Sequence, residues 1–370
     1  MRLHLVIIPV VVSTILGSSC ASGASESGPT ATTTTVAPSE SSVTTSAPSA
    51  TAPASSTEPT PASTSTSTSS AAALPTDVVV DAAGTEFDVL EPTATIVDLG
   101  FLSLDLAALG IDVAAVGYPP SVLGSITAEL DDEVVDRLAS PVAAITDGFV
   151  VPVEQLIALQ PDLIVTTTFY ATQFETELAA LDDVVPVFLV DAELTWDERL
   201  VQIGALFGQQ EAAAGLVAET AAMIDALADE IVESELGDAT VSILRLGVSE
   251  AGGDFEAYVR PGLPSEIVRR VGWRQPEAQD VDGVDPDAQF PRIGVTYERA
   301  IEHDADVLIV LEIAGLLAAD EALASPTVAA LDAVGAGRVV RSSYLLWTSN
   351  SVLGVRAIVD DLRAAAALVR

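Results

Sequence analysis

Leu200, Ile203 and Phe207 recur at spacings of three and four, the signature of one apolar helix face. Gly208 interrupts the pattern. From Glu211 an alanine-rich run carries Leu216, Met223, Ile224, Leu227 and Ile231 as a second apolar stripe, closed by Gly237 and Asp238. The stretch Thr195–Leu236 therefore predicts a lead-in helix, Thr195–Phe207, and a long helix, Glu211–Leu236. At a rise of ~1.5 Å per residue the second spans about 40 Å, more than the width of a small domain. It is either a core helix of one domain or a stiff bridge between two, and the flanking patterns decide between these.

Before it, short buried-type strands alternate with short helices. Ala94–Leu99 reads as a strand, the run to Leu109-Gly110 as a helix, and Asp112–Gly117 as a second strand. Tyr118-Pro119-Pro120 turns the chain into polar residues 121–140, which form a loop or a short helix. Ala143–Ile145 is a short strand. A helix after Pro152 ends at Pro161, Asp162–Thr166 is a strand, and Phe169-Tyr170 falls in the loop after it. A helix Glu175–Leu181 and a strand Val184–Val190 complete this half. After the helical stretch the pattern restarts. Thr240–Arg245 is a strand, Gly252-Gly253 a turn, Ala257–Arg260 a short strand, and Leu263–Val271 a helix stopped by Gly272. Residues 273–294 read as a Pro- and Asp-rich loop. Helices at Tyr297–His303 and Val328–Val334 alternate with strands Val307–Leu311 and Arg338–Val340, and Trp347 lies in the loop before a terminal helix, Val352–Val369. Strands alternating with helices predict parallel sheets covered by helices on both faces.

The two halves also share a unit. Glu154 precedes Asp162 and the strand Leu163-Ile164-Val165, as Glu298 precedes Asp306 and the strand Val307-Leu308-Ile309-Val310, at a constant offset of 144 residues. The helical stretch lies between the copies. The expected fold is therefore α/β, with two doubly wound lobes, residues 92–192 and 238–370, joined by a bridging helical segment, residues 195–236.

Composition fixes the setting. Arg2, an apolar run from Leu5 to Leu16 and the small residues before Cys20 make residues 1–20 an export signal, its apolar core too short to span a bilayer ~30 Å thick. Cys20 is the only cysteine, so no disulfide forms within the chain. Its position resembles a bacterial lipoprotein processing site, which implies a lipid on its thiol; Leu16 stands four residues before it, where the usual pattern has three. The alternative is ordinary cleavage near Ala21–Ala24. Residues 21–75, nearly all Ser, Thr, Ala and Pro, cannot bury enough surface to fold and read as a disordered tether. The net charge is −39, with 54 acidic against 15 basic side chains, which argues against nucleic acid and anionic lipid surfaces as partners. Every basic side chain is arginine, and twelve of them lie in the last 126 residues.

Over residues 92–370 the chain resembles the helical-backbone class of ABC-transporter substrate-binding lipoproteins, which capture ferric siderophores, haem and cobalamin. The resemblance is carried by Ile96-Val97-Asp98-Leu99 through Leu109-Gly110, by Glu154 with Leu159-Gln160-Pro161-Asp162-Leu163-Ile164, by Glu298 with Asp306, and by Leu331–Val334 leading to Gly337-Arg338-Val339. It implies a ligand cleft between the lobes, and it places transporter-docking carboxylates at Glu154 and Glu298; the macrodipole alone also favours Glu in a first helical turn. Ligand residues are expected in loops after strand C-termini. The candidates are Arg245, Tyr258, Arg260 and Trp347 in the second lobe and Tyr118 and Tyr170 in the first. Arginine offers charge-assisted donors to chelate oxygens and aromatic rings offer flat apolar surface. Trp273, after Gly272, reads as a cover for a helix end.

The resulting expectation is an exported, monomeric solute-binding lipoprotein on the outer face of the cell membrane. It hands a ferric siderophore to the membrane subunits of an ABC importer, with no cofactor beyond the lipid and the iron carried by the ligand. Haem or cobalamin is the alternative cargo, and an adhesin or structural lipoprotein the alternative role. Only His4 and His303 are present, which excludes multi-His metal capture and Ser–His or Cys–His catalysis, and no GxGxxG follows a strand.

Overall fold

A computed structural model describes residues 78–370 apart from 128–129, 139–142, 147, 183, 235, 250, 282–290 and 314–318. The chain divides into units 1–74 and 75–370, and the description below concerns the second. The export signal, the tether and Cys20 lie outside the described residues.

The second unit opens with a hairpin that the sequence pattern does not announce, β1 (Val78–Val80) and β2 (Glu86–Asp88), antiparallel. Asp81 closes its turn by accepting from Ala83 N and Thr85 N (2.9 and 2.8 Å), and Ala82 N donates to Leu189 O, which fastens the hairpin to the first lobe. That lobe holds β3 (Ile96–Asp98), β4 (Val113–Ala115), β5 (Leu163–Thr167) and β6 (Val187–Val190). They run parallel in the order β4-β3-β5-β6, so the winding reverses between β3 and β5. Ala143 makes only a single parallel bridge to Val116, where a short strand is expected.

The second lobe holds β7 (Val241–Arg245), β8 (Phe255–Tyr258), β9 (Arg292–Val295), β10 (Val307–Glu312) and β11 (Val339–Ser343), in the order β11-β10-β7-β8-β9. β11, β10 and β7 are parallel. β8 and β9 are antiparallel, which corrects the expectation of a wholly parallel sheet. The Gly252-Gly253 loop is too short for the crossover that parallel neighbours need. β9 also lies inside the stretch read as loop; four residues including Gly294 are too few to show alternation. Gly294 is required there, since a Cβ would fall 1.4 Å from Gly252 O.

The repeated unit has one physical role in both lobes. Asp162 Oδ2 accepts from Thr95 N (2.7 Å) just before β3, and Asp306 Oδ2 accepts from Thr240 N (2.8 Å) just before β7. Each aspartate thus ties the start of one central strand to the start of its neighbour. The helix bearing Glu154 is α-helical, Val153–Ala158, whereas that bearing Glu298 is a 3-10 helix, Tyr297–His303.

Between the lobes in sequence run the helices Trp196–Leu206 and Gln210–Glu233. The Glu198 carboxylate reaches back to Thr195 N (3.1 Å) and caps the first. Gly208, at φ +64°, turns the chain between them, in backbone space that glycine enters without a Cβ penalty. Beyond the second helix, Trp273 donates its indole N–H to Leu236 O (2.9 Å) and covers the end. Ile224, Leu227 and Ile231 on the long helix belong to one continuous core that includes Ile96 and Leu163 of the first lobe and Ile243, Trp347 and Ile358 of the second. The C-terminal helix Val352–Val369 packs along the long helix and also touches the helix Ser103–Ala108. The two lobes therefore share a helical layer. Burying one leucine in it is worth ~1.5–3 kcal/mol.

Candidate functional site

In the first lobe the C-terminal end of β3 sets the geometry. Asp98 is fully buried, and its oxygens accept from Gly100 N (2.7 Å), Leu102 N (3.1 Å), Ser103 N (2.9 Å) and the Ser103 hydroxyl. Burial nevertheless pushes its pKa above the usual carboxylate value. This bonding folds residues 99–103 into a tight loop, with Phe101 at φ +59°. Gly100 is needed beneath it, because a Cβ would stand 2.6 Å from Thr167 N at the end of β5.

Phe101 is the hub of an aromatic group. Its ring lies 4.7 Å from Tyr170, 5.0 Å from Tyr118 and 6.3 Å from Phe149. Phe174 stacks on Tyr170 at 6.1 Å and Phe169 meets it edge-on at 5.0 Å. Tyr170 sits in the helix Thr168–Gln173, capped by the Thr167 side chain, and not in the loop expected after β5. The Thr167 hydroxyl supplies a cap that the apolar pattern hides. Burial, then the charge of Asp98, keeps the Tyr118 hydroxyl protonated, and burial does the same for Tyr170.

In the second lobe β7 ends on Arg245, directly opposite Glu256 of β8. Glu256 is fully buried. Its Oε2 lies 3.4 Å from Arg245 Nη1, and its Oε1 accepts from Arg292 Nε (3.1 Å) and Ala251 N (3.1 Å). Tyr258 faces Arg292 in the β8–β9 register, and its hydroxyl has no hydrogen-bond partner among the described residues. The Arg245 guanidinium lies 4.1 Å over the Tyr344 ring, a cation–π contact. Burial and then Tyr344 raise the Tyr258 hydroxyl well above its ordinary value, and Tyr344 also raises that of Tyr170. Tyr344 is thus a member of the polar group of the second lobe.

Of the residues expected from sequence, Tyr118 and Tyr170 fall in the first group and Arg245 and Tyr258 in the second. Arg260 lies beyond the end of β8, which runs two residues earlier than expected, and it is ion-paired with Asp280. Trp347 belongs to a helix, Tyr344–Thr348, instead of a loop; its ring is fully buried and its Nε1–H donates to Asp361 (2.7 Å). Ser343 caps that helix with its hydroxyl, a signal masked by the preceding strand pattern. Glu154 and Glu298 are exposed, each in the first turn of its helix. Hydrogen bonds from its own backbone N–H and Thr296 hold Glu298 below the usual carboxylate range.

Phe101, Phe149, Glu256, Arg292 and Tyr344 are the residues that sequence reasoning missed. Tyr344 directly follows β11 and Phe101 lies in the loop three residues beyond β3, so both could have been found by the same strand-end rule. Glu256 and Arg292 depend on the antiparallel pairing. A separate shallow groove, lined by Glu219, Met223, Arg356 and Arg363, lies between the long and C-terminal helices and contains no strand end.

Each lobe thus carries one such group, aromatic around Phe101 in the first and polar around Glu256 in the second. A sequence profile described as periplasmic binding protein matches residues 103–343. The chain belongs to the periplasmic binding protein family. Its members are solute-binding proteins. The fold is likewise similar to solved structures at low identity. A siderophore periplasmic binding protein from the fuscachelin gene cluster of Thermobifida fusca is 18% identical, with a TM-score of 0.58, over 74% of this chain and 95% of that one. Staphylococcus aureus SirA complexed with staphyloferrin B is 18% identical, TM-score 0.58, over 79% and 99%. A periplasmic solute binding protein from Mycobacterium smegmatis is 21% identical, TM-score 0.58, over 79% and 98%. No match is found among curated proteins. No helix of the described residues is long and apolar enough to cross a membrane.

Proposed function

We propose that this protein is the extracytoplasmic receptor of an ABC importer and that its cargo is a ferric siderophore held between the lobes. The observation that carries this reading is that one lobe bears the Phe101–Tyr118–Tyr170 aromatic group and the other the Arg245–Glu256–Arg292–Tyr258 polar group. Aromatic faces suit the organic shell of a chelate, and guanidinium and hydroxyl donors suit its oxygens. The solved structures of similar fold from Thermobifida fusca and Staphylococcus aureus are of siderophore binders, which supports the same class of cargo. Arg260 and Trp347 take secondary places in this reading, as neighbours of the polar group in sequence. A lipid on Cys20 and the tether of residues 21–75 would hold the receptor at the outer face of the membrane.

The test is titration of the purified chain with ferric chelates, haem and cobalamin, read by quenching of its three tryptophans. Saturable quenching by ferric chelates alone supports the reading. Saturation by haem or cobalamin alone moves the cargo to that ligand, and no response to any of them removes the assignment.

In the same reading Glu154 and Glu298 are the knobs by which each lobe engages the importer, both exposed and both opening a helix. Reversing both to Arg is expected to abolish uptake in cells while the titration is unchanged; lost ligand binding in the double variant would count against docking.

A further inference from the structure

The aromatic group of the first lobe narrows the cargo, given that the proposed receptor role holds. Four of the chain's nine phenylalanines, Phe101, Phe149, Phe169 and Phe174, gather there with Tyr170. They form two tiers. Tyr170 and Phe174 make the buried lower tier, stacked at 6.1 Å and 15°. Phe101 and Phe149 are half-buried and Phe169 is 37% exposed, and each packs on a ring beneath. Phe101 lies 4.7 Å from Tyr170, Phe149 6.2 Å from Phe174, and Phe169 meets Tyr170 edge-on at 5.0 Å. Val150, next to Phe149, is 54% exposed. Apolar surface is thus left in contact with solvent along the outer tier.

The backbone is strained at two of the three outer rings. Among the described residues, four that are not glycine have positive φ. Asn350 is of a type that tolerates this region, and Gln160 follows the end of the helix Val153–Ala158. The other two are Phe101 (+59°) and Phe149 (+57°), and their rings stack on each other at 6.3 Å and 19°. A bulky side chain stays in this region only where its surroundings hold it there. At Phe101 the Asp98 carboxylate ties the loop, and the neighbouring chain comes so close that a Cβ at Gly117 would stand 3.0 Å from Phe101 N. At Phe149 the turn is closed by Thr146, whose carbonyl accepts from Phe149 N (2.8 Å) and whose hydroxyl accepts from Val150 N (3.2 Å). Strain of this kind gathers at ligand-holding positions, and filling a core does not require it of a half-buried ring.

The place of the rings in the sheet indicates what meets them. Phe101 lies in the loop after β3 and Phe169 in the helix that starts after β5, and the winding of the sheet reverses between these two strands. Ligands of open parallel sheets bind outside the C-terminal strand ends at such a reversal. Near-parallel rings offer a flat face on which a further ring lies offset or edge-on. We infer that Phe101, Phe149 and Phe169 form a stacking platform for an aromatic ring of the solute, so that the receptor prefers a ferric chelate bearing aryl groups to an aliphatic chelate of equal charge.

The test uses the full chain and two synthetic tris-hydroxamates that hold the metal through the same oxygens, carry the same charge and differ only in bearing phenyl or cyclohexyl groups. Both are loaded with Ga(III) and titrated by calorimetry. The phenyl chelate is expected to bind about 3- to 10-fold tighter, as aromatic contacts add to simple burial. Phe149→Leu should bring the ratio of the two affinities toward one, with circular dichroism verifying the fold. Phe169→Leu, at an exposed helical position, should lower the same ratio at least ~2-fold and serves where the first variant does not fold. Equal affinities in the unaltered protein, or tighter binding of the cyclohexyl chelate, overturn the aryl preference and leave the siderophore reading intact. A ratio unmoved in the folded variants overturns the platform. A dimer in sedimentation that Phe169→Leu dissociates assigns the rings to a second copy of the chain and overturns it too. No saturable binding of either probe overturns the preference together with the siderophore reading on which it rests.

Discussion

Arg199 holds the lobes together at the scale of one side chain. Its Nε donates to Asp105 Oδ2 (2.9 Å) and its Nη2 to Ser349 O (3.0 Å), while Asp105 Oδ1 accepts from Val352 N (3.0 Å) at the start of the C-terminal helix. First lobe, lead-in helix and second lobe meet in this one buried network. Burial outweighs the Arg199 charge and leaves the Asp105 pKa raised. Arg199→Met strands that carboxylate, and urea unfolding at neutral pH should show a loss of ~3–5 kcal/mol. The loss should shrink in acid, because protonation relieves the stranded charge.

His303 makes a second case. It is buried, with Nδ1 3.3 Å from Gln279 Nε2, and burial pushes its pKa down from 6.5 to about 4 against the pull of Glu302. Below 6.5 the unfolded chain gains a proton that the folded chain refuses, so stability falls as pH drops from 6.5 to about 4. The contribution is at most about 1.4 kcal/mol per pH unit. His303→Gln should flatten that part of the profile of unfolding midpoint against pH; a profile with the same slope would assign the effect to carboxylates.

Elements place these residues through close approaches that side-chain volume controls. The loop after β3 passes so near β5 that Gly100 has no room for a methyl group, its nearest contacts being backbone atoms of Thr166 and Thr167. Gly100→Ala should therefore part the two central strands, costing ~1–3 kcal/mol in stability and weakening ligand binding with it. Thermal melts and the chelate titration read the two effects separately. At this scale much was legible. The start of the long helix, the strands β3, β5, β7 and β10, and the Glu…Asp unit follow from periodicity and breakers; the long helix ends at Glu233, three residues before the expected Leu236. The hairpin β1–β2 and β9 do not, because they are three or four residues long and largely unburied, whereas β3, equally short, lies in the fully buried run Ile96–Leu99. The helices holding Tyr170 and Trp347 were hidden for another reason: each is only a turn or so long and starts directly on a strand end.

For the whole molecule, the continuous core and the buried Asp105–Arg199 pair make the junction stiff. The long helix of 24 residues connects the lobes and the C-terminal helix packs along it, so bending one means shearing the other. Lobe motion on ligand binding should accordingly be small, with solution scattering of free and loaded protein giving radii of gyration that agree closely. A marked compaction would contradict a rigid junction.

The sequence by itself determined the two-lobed α/β plan, the bridge, the repeated Glu…Asp unit and the strand ends at or after which Arg245, Tyr118, Tyr170 and Tyr258 stand, since these depend on local period, breakers and order along the chain. Only the tertiary structure decided what those side chains face. That Glu256 compensates Arg245 and Arg292 together depends on an antiparallel register across three strands. That Phe101 gathers the aromatic group depends on Asp98 folding its loop. That the Trp347 indole serves packing depends on Asp361 arriving from another helix. Partners far apart in sequence are set by packing, and no local pattern records them.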